Sequence, residues 1–246
     1  MLKVDLHNHS NYIQPWETNY SPKELIDEAV KQGYDAICFS EHYAFTKIGD
    51  LLKEYRKDPF ASYKDFKEYA SKKSLLLIPA IEIKYKEGEV LLINFKGNVK
   101  DYPTIESLKN LSENVLVVAP HPFFKRGFCL GKDLIANIDL FDAIEYSHFY
   151  IKSCNLNEEA VELAKKYNKV LLGTSDAHRL EQLGYTYSLV DAKKDADSIV
   201  KAIKLGKVKL VTSPLPVYIF VKTTVRSIYH FVKAVPLILY RWIKFW

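Results

Sequence analysis

No uncharged run in this 246-residue chain approaches the ~20 residues that a helix needs to cross a bilayer. The N-terminus, MLKVDLHNHS, lacks the apolar stretch of a secretory signal, so no signal peptide is expected. Cysteine is scarce. Cys38, Cys129 and Cys154 lie far apart with no C-x-x-C pair, which argues against a disulfide framework and points to a reducing, cytoplasmic setting. There is no G-x-S-x-G, no P-loop and no glycine-rich turn after the first strand, so a serine nucleophile and a dinucleotide fold lose their usual signatures. Acid is missing from residues 214–246, which hold Lys222, Arg226, Lys233, Arg241 and Lys244. The net charge of +5 therefore belongs to this tail, and residues 1–213 are formally neutral. The body gives no electrostatic argument for binding nucleic acid.

What the chain does have is histidine in regular places. Six of its seven histidines lie in short polar motifs, each following an apolar run that reads as a strand. The motifs are DLHNHS (His7, His9), SEHY (His42), PHPF (His121), EYSHF (His148) and TSDAH (Asp176, His178), with Glu82 after LLLIPAI. Imidazole and carboxylate hold zinc, manganese or iron at neutral pH. A single H-x-H or D-x-H is a weak signal. Two such pairs at strand ends, joined by Glu82, His42 and His121, point to one polynuclear centre.

With 48% hydrophobic and 26% charged residues the chain can bury a full core. Strands are expected at Leu2–Leu6, Ala36–Phe39, Leu75–Ile78, Asn114–Ala119, Phe141–Tyr146, Val170–Leu172, Tyr185–Val190 and Val208–Val211. A hairpin is expected to join Glu82–Lys84 to Val90–Phe95 through Lys86-Glu87-Gly88. Helices are expected after the Ser21-Pro22 start signal, over Glu158–Tyr167 and over about Ala196–Leu205. Alternating β and α units predict a parallel sheet, and their number in one domain favours a barrel whose strand C-termini share one face. No internal repeat or low-complexity segment interrupts the pattern.

Taken in order, DLHNHS, SEHY, AIEI with Glu82, PHPF, DAIEYSH and GTSDAH resemble the polymerase and histidinol phosphatase (PHP) family of metal-dependent phosphoesterases, over about Met1 to Val211. The resemblance implies an α/β fold, a distorted TIM-like (β/α)7 barrel over residues 1–213, followed by a basic, aromatic helical extension over 214–246. It implies two to three divalent metal ions, zinc, manganese or iron. His7, His9, Glu82 and Asp176 would take the first, Glu82 and His121 the second, and His42 and His178 the third. Phosphoester hydrolysis by a metal-activated water is the implied reaction, with His7, His9, Glu82, Asp176 and His178 as catalytic residues. The substrate would be a small phosphorylated metabolite or a nucleotide.

The pattern departs from the family in two places. Only Glu17 stands where relatives place an early third-metal ligand, and Glu89 falls where relatives carry a histidine. Glu41 is read as orienting a ligand imidazole from behind, and Asp5 is left open between that role and a solvated strand-end aspartate. His148 is left open between ligand, substrate contact and packed histidine. Arg126 and Lys125 follow HPFF and are candidate phosphate contacts, Arg126 by two parallel N–H bonds. Lys222, Arg226, His230 and Lys233 form one helical stripe, with His230 read as non-functional. That stripe suggests either docking on the barrel or a partner subunit, which is preferred, or a peripheral membrane helix. Two other readings remain. One is a C–N hydrolase of amidohydrolase type, disfavoured because no lysine is expected to end a central strand. The other is a non-catalytic metal-binding scaffold.

Overall fold

A computed structural model describes residues 1–14, 16, 18–47, 53–124, 128–226 and 229. The expected Glu17, Lys125, Arg126 and His230, and the end of the basic stripe, lie outside the described residues.

The chain runs β1 (Leu2–Asp5), α1 (Pro22–Lys31), β2 (Ala36–Phe39), β3 (His42–Ala44), α2 (Ala61–Lys72), β4 (Leu76–Lys84), β5 (Glu89–Ile93), β6 (Leu116–Ala119), α3 (Lys132–Ala136), β7 (Ala143–Ser147), α4 (Glu158–Lys166), β8 (Val170–Thr174), β9 (Thr186–Val190), α5 (Ala196–Lys204) and β10 (Val208–Thr212). One sheet contains all ten strands in the order β10-β9-β1-β2-β4-β5-β6-β7-β8, with β3 beside β4. It curls into a nearly closed, distorted TIM-like barrel. The expected parallel pairing holds for β1-β2-β4 and β6-β7-β8. β4 and β5 form the expected antiparallel hairpin, while the parallel expectation fails at β5-β6 and around β9, whose neighbours are antiparallel. The turn 85–88 is the reason at β5: four residues allow a hairpin but not the crossover that parallel neighbours need. Ser21 starts α1 as a capping box with Glu24, as the start signal predicts.

Four elements, β4, β3, α2 and the five-residue α3, differ from expectation. Leu75–Ile78 and Glu82–Lys84 are parts of a single strand, β4, which passes through Pro79. The β2 ladder ends at the Phe39–Pro79 pair, so the missing N–H removes no continuing rung, and the Pro79 carbonyl accepts from Asn94 N at 2.7 Å. β3 is too short to show a period. α2 buries only Ser62 and Ala70, so its amphipathic signal is faint.

Side-chain alternation explains where the centre lies. Ile78 and Ala80 on β4, Leu91 and Ile93 on β5, and Ala143 on β7 belong to one buried apolar cluster, which also takes in Ile199, Val200 and Ile203 of α5. Glu82, Glu89 and Glu145 fall on the same strand faces, two residues beyond these apolar positions toward one end of the barrel, which in β5 is the N-terminal direction. The inner face thus changes from apolar to carboxylate at one end of the barrel. β5 runs against β4, so its N-terminal residue, Glu89, reaches the end where β4 finishes.

Residues 217–226 are helical and lie on the barrel. Leu215 N donates to Tyr150 O at 2.9 Å, and the Phe220 ring stacks on Phe149 at 4.5 Å. Lys222 Nζ donates to both Glu181 oxygens at 2.7 and 3.1 Å. The described part of the extension is thus docked, with Val217, Tyr218, Val221 and Val225 exposed on its outer side. No helix among the described residues is long and apolar enough to cross a membrane.

Candidate metal centre

The two motif pairs meet through backbone. Asn8 and Ala177 form an isolated parallel bridge, and His9 N donates to Ala177 O at 3.3 Å. His7, His9, Asp176 and His178 are thereby set side by side. Ser40 braces the first segment: its N and Oγ donate to Asn8 O at 2.7 and 3.0 Å. β3 pairs with β4 in a register that puts His42 opposite Glu82. His121 and Asp176 both have positive φ, +28° and +43°, a backbone state that non-glycine residues rarely adopt and that concentrates at functional sites.

Glu82 is at the middle, fully buried. Its Oε2 lies 3.0 Å from His42 Nδ1 and 3.4 Å from both His7 Nε2 and His9 Nε2, and its Oε1 lies 3.2 Å from His121 Nε2. Asp176 Oδ1 is 3.1 Å from His9 Nε2 and 3.5 Å from His7 Nε2 and His178 Nδ1. Glu89 Oε2 stands 3.9 Å from His121 Nε2. Ligand atoms of His7, His9 and Glu82, of Glu82, Glu89 and His121, and of His9, His42 and His178 converge within 4.8 Å in each group. The seven expected ligands therefore come together, and Glu89 joins them.

The donor set suits a cation. Among the described residues neither Glu82 oxygen, nor His9 Nδ1, has a hydrogen-bond partner, although all are buried. Four imidazole nitrogens stand close to Glu82 without making a hydrogen bond to it, and His7 Nε2 faces His9 Nε2 at 3.2 Å. Buried carboxylate oxygens crowded by ring nitrogens without a hydrogen bond are costly, and a cation among them would satisfy them. His7 Nδ1 donates to Glu145 Oε1 at 2.7 Å, which fixes the tautomer and turns the Nε2 lone pair inward.

Electrostatics follow the same layout. Burial alone would raise Glu82 and Asp176, but the imidazoles around them, His7 foremost, hold both carboxyls well below their usual range. Burial would lower His7 and His121; the carboxylates, with the Cys129 contact for His121, lift both well above 6.5. His9 falls to about 4, through burial and then the charges of His42 and His178. Glu89 rises to about 7, through burial and then the Glu82 charge.

The supporting residues are partly not those the motifs suggest. Asp5 Oδ1 accepts from Ser175 N at 3.0 Å, and Glu41 Oε1 accepts from the Ser10 hydroxyl. Both brace the loops rather than the imidazole rings, in place of the orienting role read for Glu41 and weighed for Asp5. That role belongs to Glu145, which also accepts from His121 N at 2.6 Å and from the Thr174 hydroxyl. Its signal was a single acid inside the strand AIEYS. His148 is outside all three ligand groups: its Nε2 accepts from Gln182 Nε2 at 2.7 Å, and Gln182 Oε1 accepts from His178 N at 3.0 Å. Burial drops the His148 pKa to about 4, so the ring is neutral. Gln182 and Arg179 carried no sequence signal. Lys84 does end the central strand β4, against expectation. Its Nζ lies 4.0 Å from Glu89 Oε1 and over the Phe128 ring, not among the imidazoles.

Above the centre opens a cleft of about 220 Å³, lined by His121, Asp176, His178 and His148 with Trp16, Phe124, Phe128 and Phe149.

Comparison with known proteins agrees with this architecture. No curated protein matches the sequence. The chain is similar in fold to a two-domain protein from Bacteroides vulgatus containing a predicted PHP-like metal-dependent phosphoesterase, with a TM-score of 0.63 and 21% identity over 86% of this chain and 64% of that one. It thus spans less than two thirds of that protein. PsfC from Pseudomonas syringae gives a TM-score of 0.61 at 17% identity, covering 93% of this chain and 97% of its own. The lesion-specific endonuclease PfuEndoQ from Pyrococcus furiosus gives 0.52 at 18% identity, covering 85% and 57%. A PHP-associated family model matches residues 155–208. The PHP domain model itself matches residues 5–174, which hold all the expected ligands except Asp176 and His178, so the chain belongs to the PHP domain family of metal-dependent phosphoesterases.

Proposed function

We propose that this protein hydrolyses a phosphomonoester of a small metabolite or nucleotide. The observation that carries the reading is Glu82, buried without a hydrogen bond and ringed by four imidazoles with Asp176 alongside. In this reading His7, His9, Glu82 and Asp176 would hold one divalent cation, Glu82, Glu89 and His121 a second, and His42 and His178 would contribute to a third. Such ions supply Lewis acidity, acidifying water and offsetting phosphate charge. The chain's own residues do the rest. Glu145 keeps His7 in the ligating tautomer. His148 and Gln182 offer neutral polar edges to the substrate. The aromatic lining thins out water, which strengthens every charge interaction in the cleft. The cleft's size and the neutral body favour a small substrate over a long nucleic acid, whereas the endonuclease named above is described as lesion-specific.

Zinc- or manganese-loaded protein is expected to hydrolyse p-nitrophenyl phosphate, and phosphomonoesters faster than phosphodiesters. His9→Ala and Asp176→Ala each should abolish turnover, by at least about 10³-fold, while circular dichroism stays unchanged. Full activity in either variant would overturn the assignment.

A further inference from the structure

The cleft has a part that the metal centre does not explain. Beside His121, Asp176 and His178 it is lined by Arg179, Thr223 and Arg226, the last two from the docked 217–226 helix. Arg179 is only 7% exposed. Its Nε makes no hydrogen bond and lies 3.5 Å from one Glu181 oxygen, while Glu181 is already engaged by Lys222 at 2.7 and 3.1 Å. Among the described residues no carboxylate comes within ion-pair range of Arg226. Thr223 Oγ1 is buried without a partner. His148 Nε2 accepts from Gln182, so its Nδ1 carries the proton, and that N–H too is buried without an acceptor. Arg179 Nε, Thr223 Oγ1 and His148 Nδ1 thus share one cleft with the half-buried Arg226, and among the described residues these three make no hydrogen bond, the Glu181 oxygen at 3.5 Å being only an ion-pair neighbour of Arg179. Buried donors without acceptors are destabilising, and native proteins keep few of them. An anion with several oxygens satisfies them together, and guanidinium groups grip phosphate by paired N–H bonds.

We propose that Arg179, Arg226, Thr223 and His148 form a phosphate grip, so that the C-terminal helix is part of the substrate site and the substrate presents a terminal, dianionic phosphate. The inference rests on the phosphoesterase reading for its substrate class but not for its geometry. Residues 217–226 lie beyond both family matches, 5–174 and 155–208.

The test uses full-length, chelator-treated protein titrated with inorganic phosphate by calorimetry. Wild type is expected to bind, Arg226→Ala and Arg179→Ala to weaken binding about ten-fold or more, and Arg226→Lys to restore part of the loss, because lysine keeps the charge without the fork. If Arg179→Ala fails to fold, Arg226→Ala and Thr223→Val carry the test from the docked helix. In manganese-loaded protein the Arg226 variant should raise KM for phosphomonoesters with kcat less affected. Wild type that binds no phosphate, or unchanged phosphate affinity in the arginine variants, would sink the grip. Phosphate binding that is lost in the variants, in a protein that hydrolyses no phosphoester with any metal, leaves the grip standing and overturns the proposed function instead.

Discussion

Glu145 ties together three parts of the centre: the His7 ring, the His121 backbone and Thr174 on the neighbouring strand. Burial would raise its pKa, but the His7 charge beside it keeps the carboxyl below the usual range. Glu145→Gln retains size and removes the charge, so His7 loses the partner that sets its tautomer. Metal affinity should fall about 10–100-fold, read by chelator competition, with the fold intact. Asp5 gives a pH signature. Burial lifts its carboxyl from 3.8 to about 7. A group that holds its proton more tightly when folded adds stability below pH 3.8 and loses it as pH climbs through about 7. Metal-free wild type should therefore lose unfolding midpoint relative to Asp5→Asn between pH 4.5 and 8, and parallel curves would rule this out. At this scale the ligand-type residues were legible, because imidazole and carboxylate in paired spacing have few uses at strand ends. Glu145, Gln182 and Arg179 were not, because their roles lie in which distant side chain they meet.

Among elements, the seam beside β8 shows how tightly the barrel closes. Ser188 Oγ bridges Gly173 N and O across from β9, at 2.9 and 3.0 Å. A Cβ on Gly173 would fall 2.8 Å from the Tyr187 carbonyl oxygen and 2.4 Å from Leu210 Cδ1. Gly173→Ala must push backbone apart two residues before Ser175. It should cost about 1–3 kcal/mol, lowering the thermal midpoint by about 3–10 °C. Strands were largely legible because buried apolar runs leave few alternatives. β3 and α2 were not, the first for its length and the second for its weak stripe. The strand directions around β5 followed from the four-residue turn, but that turn's consequence, Glu89 entering the site, needed the register of β4 against β5.

For the whole molecule, a centre of buried carboxylates and imidazoles couples metal binding to stability. Ions that bind only the folded chain should raise the thermal midpoint by about 5–10 °C at about 100 times their Kd. Differential scanning of chelated protein with and without manganese or zinc checks this, and the gain should vanish in Asp176→Ala. The C-terminal extension shows the limit of reading by pattern. Its spacing put Lys222 and Arg226 on one helical stripe, yet the stripe's destination depended on Glu181 and the cleft, residues that no local period connects to it. The sequence alone determined which chemistry was available, since residue type sets what can bind a cation, and apolar runs set which segments are strands. Only the folded chain decided which carboxylate stands among the imidazoles, which one orients them from behind, and which arginines enter the cleft. Those outcomes depend on strand register and helix docking, and both are settled by contacts between segments that no local period connects, 41 residues apart for Lys222 with Glu181 and 138 for His7 with Glu145.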